Sequence, residues 1–313
     1  MVLNIVLLIV GFVLLIKGAD VFVEGASKVA AMLKIPQIVI GLTIVAFGTS
    51  APEAAVSITS SFKGTAGIAI GNIIGSNIAN VLLILGVSGM IGTLVVKKNT
   101  YMIETPFVIL ISIVLLVVGY LGGNISRIDG CVLWVFFLAF LYYLYRLTKK
   151  GDDTAIDDIP ELDENDRLWK LVIMIILGII CVVVGSQVTV DSASYIAKEF
   201  GVADRIIGLT IVSIGTSLPE LVTSVSASLK GKNDIAIGNI IGSNIFNILF
   251  VLGTAALVAP NGIPFANGFI IDGIISIGAV LLFMLFIGKD MKLKKYGAFI
   301  MLVSYVCYII YIL

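Results

Sequence analysis

The stretch GLTIVAFGTSAPEAAVSITSSFKGTAGIAIGNIIGSNIAN, residues 41–80, returns at residues 208–247 as GLTIVSIGTSLPELVTSVSASLKGKNDIAIGNIIGSNIFN. Aligned without a gap at a constant offset of 167, the two copies are identical at 26 of 40 positions. Each copy sets one acid, Glu53 or Glu220, behind Gly-Thr-Ser-x-Pro in a strongly apolar background. A carboxylate at bilayer depth is costly and marks a site by default. Two of them in equivalent places argue against an incidental charge.

Working outward, the composition identifies the solvent. The chain is 59% hydrophobic and 13% charged, with a mean hydropathy of +1.14, against roughly 25% charged residues in a soluble domain. Several apolar runs approach the roughly 20 residues that a spanning helix needs. The pattern predicts ten helices, near 2–30, 37–62, 67–92, 101–121, 127–147, 168–200, 204–229, 234–258, 267–288 and 293–312. The first run, from Val2 to Ile16, lacks a basic leader and a small-residue cleavage site, so it is expected to be a retained helix. The formal net charge is zero, and no basic patch suggests a nucleic-acid partner. There is no histidine, which removes imidazole metal sites and histidine proton relays. The three cysteines, Cys131, Cys181 and Cys307, fall inside apolar runs without paired spacing and read as inert helix residues.

Five helices per copy is an odd number, so the second copy must enter the membrane from the opposite side. The expected fold is an all-α membrane protein of ten transmembrane helices in two inverted five-helix repeats, a recurring transporter plan. The repeats are residues 1–147 and 168–313, joined by an acidic linker at 148–167 whose centre reads GDDTAIDDIPELDEND. Loop charge sets the orientation. Fifteen Lys and Arg fall in the first, third, fifth, seventh and ninth connections and four in the others. By the positive-inside bias, both termini are outside and the linker is cytoplasmic. A plasma (inner) membrane location is expected.

Proline removes a backbone donor and clashes with the preceding turn. Around Pro52 the freed carbonyls need partners, and a cation is one. Ser50 and Thr49 lie three and four residues before Glu53, so they share its face. Thr216, Ser217, Pro219 and Glu220 repeat the construction. The plain alternative is a kinked helix with a snorkelling glutamate. The following segment spaces Asn72, Ser76 and Asn80 at i, i+4 and i+8, an oxygen-bearing stripe. Its counterpart is Asn239, Ser243 and Asn247, and Gly71/Gly75 and Gly238/Gly242 form small-residue faces for close backbone approach. Such a stripe serves either as interhelical glue or as an ion contact. An all-oxygen donor set suits Ca2+ and Na+ and disfavours thiolate-preferring metals. Two carboxylates offer a charge of −2, which one Ca2+ or two Na+ neutralise.

The doubled G-[TS]-S-x-P-E and G-N-x-x-G-S-N-I-x-N segments resemble the two alpha-repeats of the cation/calcium exchanger superfamily, and most closely its prokaryotic sodium/calcium exchangers. The likeness covers essentially the whole chain. It implies a core of helices 2, 3, 7 and 8, with helices 1 and 6 long, tilted and mobile. It implies Ca2+ held by Glu53, Glu220 and the Thr49 and Thr216 carbonyls, and Na+ held by those carboxylates with Ser50, Ser217, Ser76 and Ser243. Asn80 and Asn247 would complete the central position. Some relatives, notably potassium-dependent ones, carry Asp where this chain has Asn247, which argues against K+ co-transport here.

The expected function is therefore antiport of Na+ against Ca2+ by alternating access, extruding Ca2+. The bilayer and the two transported ions are the partners; no cofactor and no obligate protein partner is expected. Proton/calcium exchange through the same glutamates is the nearest rival, although the proton-coupled branch typically carries a different acidic motif. A channel fits less well, since the symmetry is internal and inverted. An intramembrane hydrolase lacks a nucleophile–base pair. Asp20, Glu24, Gln187 and Asp191 on helices 1 and 6 either line the access routes or are solvated at the interface.

Overall fold

The computed structural model describes residues 1–64, 66–150, 162, 166–201, 213–266 and 268–312. Its described residues are helical apart from short connections. Eight helices are long and apolar enough to cross a membrane: α1 (Val2–Leu33), α4 (Gly67–Ile91), α5 (Thr100–Gly122), α6 (Arg127–Lys150), α7 (Leu168–Glu199), α10 (Asn233–Val258), α11 (Gly268–Ile287) and α12 (Lys295–Ile312). A ninth span is the broken pair α2 (Gln37–Thr49) and α3 (Ala51–Phe62), bent by 53°. The short helices α8 (Ser213–Thr216) and α9 (Leu218–Leu229) occupy the equivalent place in the second half. The expected start of that span, residues 204–212, lies outside the described residues, as does most of the acidic linker.

The helix ends follow from the sequence. Lys34 takes a left-handed φ of 53°, and Pro36, which holds its predecessor extended, stops α1. Pro52 and Pro219 stand in the first turns of α3 and α9, where a missing N–H costs least. The break before Pro52 is the bend the sequence predicts, and a break at Ser217 stands at the same place before Pro219.

Burial separates the helices. In α10, 94% of the most apolar window is buried inside the protein, and in α4 72%, against 22% in α1, α6 and α12. These two helices form the centre, and the others turn apolar surface outward as a lipid-facing wall does. The expected GxxxG approach appears in α10, where Gly238 and Gly242 pack on the α2 backbone. A Cβ at Gly238 would lie 3.0 Å from the Gly41 Cα, and one at Gly242 2.7 Å from the Leu42 Cα. At Gly71 a Cβ would meet only Phe269, at 3.6 Å, and at Gly75 nothing within 4 Å among the described residues.

Helices α1 and α7 form the most extensive pair and run antiparallel. Gly11, Gly18 and Gly25 recur every seven residues along α1 and meet Gly185, Gly178 and Met174–Ile175 of α7 in reverse order. A Cβ at Gly18 would come within 2.7 Å of the Cys181 Cβ, so only glycine lets the backbones approach this closely. At 32 residues each, these helices are about 48 Å long. That exceeds a hydrocarbon core of about 30 Å and calls for tilt.

Short antiparallel strand pairs tie the connections together on two opposite faces. β1 (Leu94–Val95) pairs with β4 (Lys292–Leu293), joining the α4–α5 and α11–α12 connections. Lys97 reaches Asp234 at the start of α10 on the same face, at 2.7 Å. β2 (Asn124–Ile125) pairs with β3 (Ile263–Pro264), joining the α5–α6 and α10–α11 connections on the other face. Lys28 near the end of α1 meets Asp166 before α7 at 3.1 Å.

Candidate ion-binding site

At the break between α2 and α3 the backbone ladder runs from Ser50 N–H to the Ala46 carbonyl and from Ala54 N–H to the Ser50 carbonyl, both at 3.0 Å. No bond to the Thr49 carbonyl stands between these two. The second half repeats the step, with Leu221 N–H bonding the Ser217 carbonyl at 3.0 Å. The kink thus delivers a glutamate and a hydroxyl into the interior from each half. Glu53 and Glu220 are each 1% exposed and lie within Coulombic reach of each other.

The two halves exchange hydrogen bonds. Ser50 Oγ donates to Glu220 Oε1 at 2.7 Å, and Ser217 Oγ faces Glu53 Oε1 and Ser76 Oγ, each at 3.4 Å. The Ser243 hydroxyl adjoins Glu220. Each serine therefore supports the carboxylate of the opposite half, a crossing that sequence spacing cannot reveal.

Asn72 and Asn239, at the start of the expected stripe, tie α4 and α10 to the glutamate-bearing helices. Asn72 Nδ2 donates to Ser57 Oγ at 3.0 Å and faces the Glu53 carbonyl at 3.4 Å; Asn239 Nδ2 does the same with Ser224 Oγ at 2.9 Å and the Glu220 carbonyl at 3.4 Å. Asn239 Oδ1 also accepts from Thr49 Oγ1 at 2.9 Å. Where the stripe ends, at Asn80 and Asn247, α4 widens to a π-turn at Ala79–Ile84 and α10 at Asn247–Leu252. Such π-turns are rare and concentrate at functional sites.

Next to these turns four buried asparagines from both halves interlock. Asn80 Nδ2 donates to Asn244 Oδ1 at 2.9 Å, and Asn247 Nδ2 donates to Asn77 Oδ1 at 3.1 Å. Asn77 and Asn244 in turn reach each other's backbone carbonyls at 3.4 Å. Sequence reasoning missed Asn77 and Asn244, although the repeated Ser-Asn-Ile-x-Asn carries them. With their amide nitrogens committed, Asn80 and Asn247 are left with Oδ1 atoms that accept no hydrogen bond. Glu53 Oε2 and Glu220 Oε2 are likewise buried and unpartnered. Leaving a buried acceptor unpaired costs about 1–3 kcal/mol, more when it is charged. These four oxygens, related in pairs between the halves, and the likewise unpartnered Ser243 Oγ are hard donors of the kind that an oxygen-preferring cation takes. Among the described residues no group of three acidic, histidine or cysteine side chains comes together, so the donor set is two carboxylates and neutral oxygens.

Of the polar residues on α1 and α7, Asp20 is a helix contact. It accepts from Ser226 Oγ at 2.7 Å and pairs with Lys230 at 3.4 Å, both in the α9 region. Glu24 pairs with Lys28, and Gln187 with Asp191, each along its own helix.

The sodium/calcium exchanger protein family matches residues 3–146 and, separately, 170–313. The chain belongs to that family, a family of transporters and not of enzymes. It is 38% identical over 312 residues to the putative antiporter CaxA of Alkalimonas amylolytica, covering 97% of this chain and 96% of the relative. It is 31% identical over 344 residues to the sodium/calcium exchanger MaX1 of Methanosarcina acetivorans, covering 98% and 97%. Among solved structures, the sodium–calcium exchanger NCX_Mj soaked without Na+ or Ca2+ superposes with a TM-score of 0.85 at 33% identity, covering 100% of this chain and 99% of that one. Membership makes the chain an exchanger of cations across a membrane.

Proposed function

We propose that this exchanger couples inward Na+ movement to Ca2+ extrusion by alternating access, in the plasma membrane, through ten spans in two inverted five-helix repeats. Residues 1–147 form one repeat and 168–313 the other, joined by the cytoplasmic linker 148–167. The antiparallel α1–α7 pair supports the inversion, since these are the first helices of each repeat. The two strand pairs support the alternation of faces. The 15-to-4 basic bias puts the face carrying β1, β4 and Lys230 in the cytoplasm and both termini outside.

The observation that carries the ion reading is the set of four orphaned oxygens on Glu53, Glu220, Asn80 and Asn247. Ca2+ takes the two carboxylates with the Thr49 and Thr216 carbonyls, and the central amides complete the cage. Na+ ions take the same carboxylates with Ser50, Ser217, Ser76 and Ser243. Two bare carboxylates repel strongly in low dielectric, so the empty carrier resists reorientation and exchange is favoured over leak. With Asn at 247 the site carries −2, so three Na+ exceed the charge of one Ca2+ by one. That makes exchange electrogenic and independent of K+, each net charge being worth about 2.3 kcal/mol per 100 mV.

The test is Ca2+ release from loaded proteoliposomes at clamped potential. An inward Na+ gradient at fixed pH should drive release, more strongly with a potential that favours the net charge, and without K+. Release driven by a pH jump alone identifies the proton-coupled alternative, and a requirement for K+ overturns the charge count.

A further inference from the structure

The two halves differ where the moving helices meet the core. At an offset of 167, Asp20, Ser226 and Lys230 correspond to Gln187, Thr59 and Lys63. The first set is assembled: Asp20 Oδ1 accepts from Ser226 Oγ at 2.7 Å and pairs with Lys230 Nζ at 3.4 Å, and Lys230 also donates to the Asp20 carbonyl at 2.8 Å. The second set is apart. Gln187 bonds Asp191 on its own helix at 2.8 Å, and Thr59 and Lys63 are exposed. Packing follows the same division. α1 lies along α9, where Leu218 and Val222 join Leu15, Ala19 and Val182 in one apolar cluster, whereas α7 has no comparable packing on α3 among the described residues. The counterparts of Leu218 and Val222 are only Ala51 and Ala55.

We propose that Asp20, Ser226 and Lys230 form a one-sided latch. It holds α1 against α9 and closes the route from the central site to the Lys230 face, leaving the opposite route, between α7 and α3, favoured open. The mirror position keeps a hydroxyl and an ammonium in Thr59 and Lys63 but has Gln187 in place of the acid. The state closed at that face therefore has no ionic latch. This inference deepens the alternating-access reading and rests on it: the carrier's two faces are built unequal, biased toward opening away from Lys230. A carrier whose binding-competent state is fractionally populated shows weakened apparent affinity by that fraction.

Two readouts test it in oriented proteoliposomes: half-saturating Ca2+ at each face, and amide hydrogen exchange in residues 218–230 and 51–63. With a partly exposed ion pair lost, Asp20→Asn should lower half-saturating Ca2+ at the Lys230 face about two- to fivefold and raise it at the other. Exchange should quicken in 218–230 and slow in 51–63. Gln187→Asp should shift the balance in the same direction by completing the mirror latch, and adding Lys63→Gln should cancel that shift. An Asp20→Asn protein whose two faces change alike, or not at all, overturns the latch; so does a Gln187→Asp effect that survives loss of Lys63. Failure of Na+ to drive Ca2+ movement in the wild type would sink the antiport reading instead, and the hydrogen-exchange pattern still decides the latch.

Discussion

The paired central helices and the paired outer helices solve opposite problems with small polar or small apolar residues. Between α4 and α10 the contact is made by four asparagine amides, each donor aimed at a named oxygen of the other half. Between α1 and α7 it is made by glycines at which the backbones touch, flanked by apolar side chains such as Leu15, Phe22, Ile175 and Val182. Directional bonds fix one register, and removing one partner strands the other. Glycine contact fixes distance and leaves register loosely specified. The contrast matches the alternating-access proposal, which needs a centre held by directional bonds and an outer pair held by non-directional apolar contact.

The sharpest way to break this contrast is at the fixed centre. Glu53→Gln or Glu220→Gln halves the neutralising charge, and either should abolish Na+-driven Ca2+ flux in liposomes; normal flux from one of them would remove the glutamates from the site. Asn244→Ala comes next. It takes away the acceptor of Asn80 and a donor to the Asn77 carbonyl. We expect Ca2+ affinity, read by calorimetry, to fall about ten- to a hundredfold, corresponding to about 1–3 kcal/mol. Unchanged affinity would reduce the asparagines to packing.

Gly18→Val probes the other side of the comparison. The added atoms meet Cys181 and Val182, and overpacking of this kind costs about 1–3 kcal/mol. Melting temperature and turnover should drop while Ca2+ affinity stays within about twofold. A large affinity loss would mean the seam is part of the site. The smallest effect is expected from Asn247→Asp, which keeps the oxygen and adds a charge. Exchange should persist but become dependent on pH and responsive to K+ in flux assays at clamped potential; indifference to both would detach residue 247 from the charge balance.

Much of this was legible beforehand, for definite reasons. Apolar runs and the Pro52 and Pro219 breaks report on single helices, so the spans and kinks could be placed from local residues. The doubled acid motif named Glu53 and Glu220 because charge at bilayer depth is rare. What stayed hidden depends on contacts across 164 to 210 residues: the Ser50–Glu220 crossing, the Asn77 and Asn244 supports, and the Asp20–Lys230 pair. The stripe reading assumed a regular helix and gave Asn72 the same standing as Asn80. The hydrogen bonds separate the two: Asn72 and Asn239 bond Ser57 and Ser224 on the glutamate-bearing helices, whereas Asn80 and Asn247 keep an unpartnered Oδ1.

The interlocked asparagines also bear on how the chain is made. Asn77 and Asn80 leave the ribosome 167 residues ahead of Asn244 and Asn247, the groups that complete them. At a synthesis rate of about 5–20 residues per second, the first half waits roughly 8–33 s in the bilayer with its amides unanswered. For that interval it is an intermediate with polar groups facing lipid or transient partners, and a membrane quality-control protease would meet it in that form.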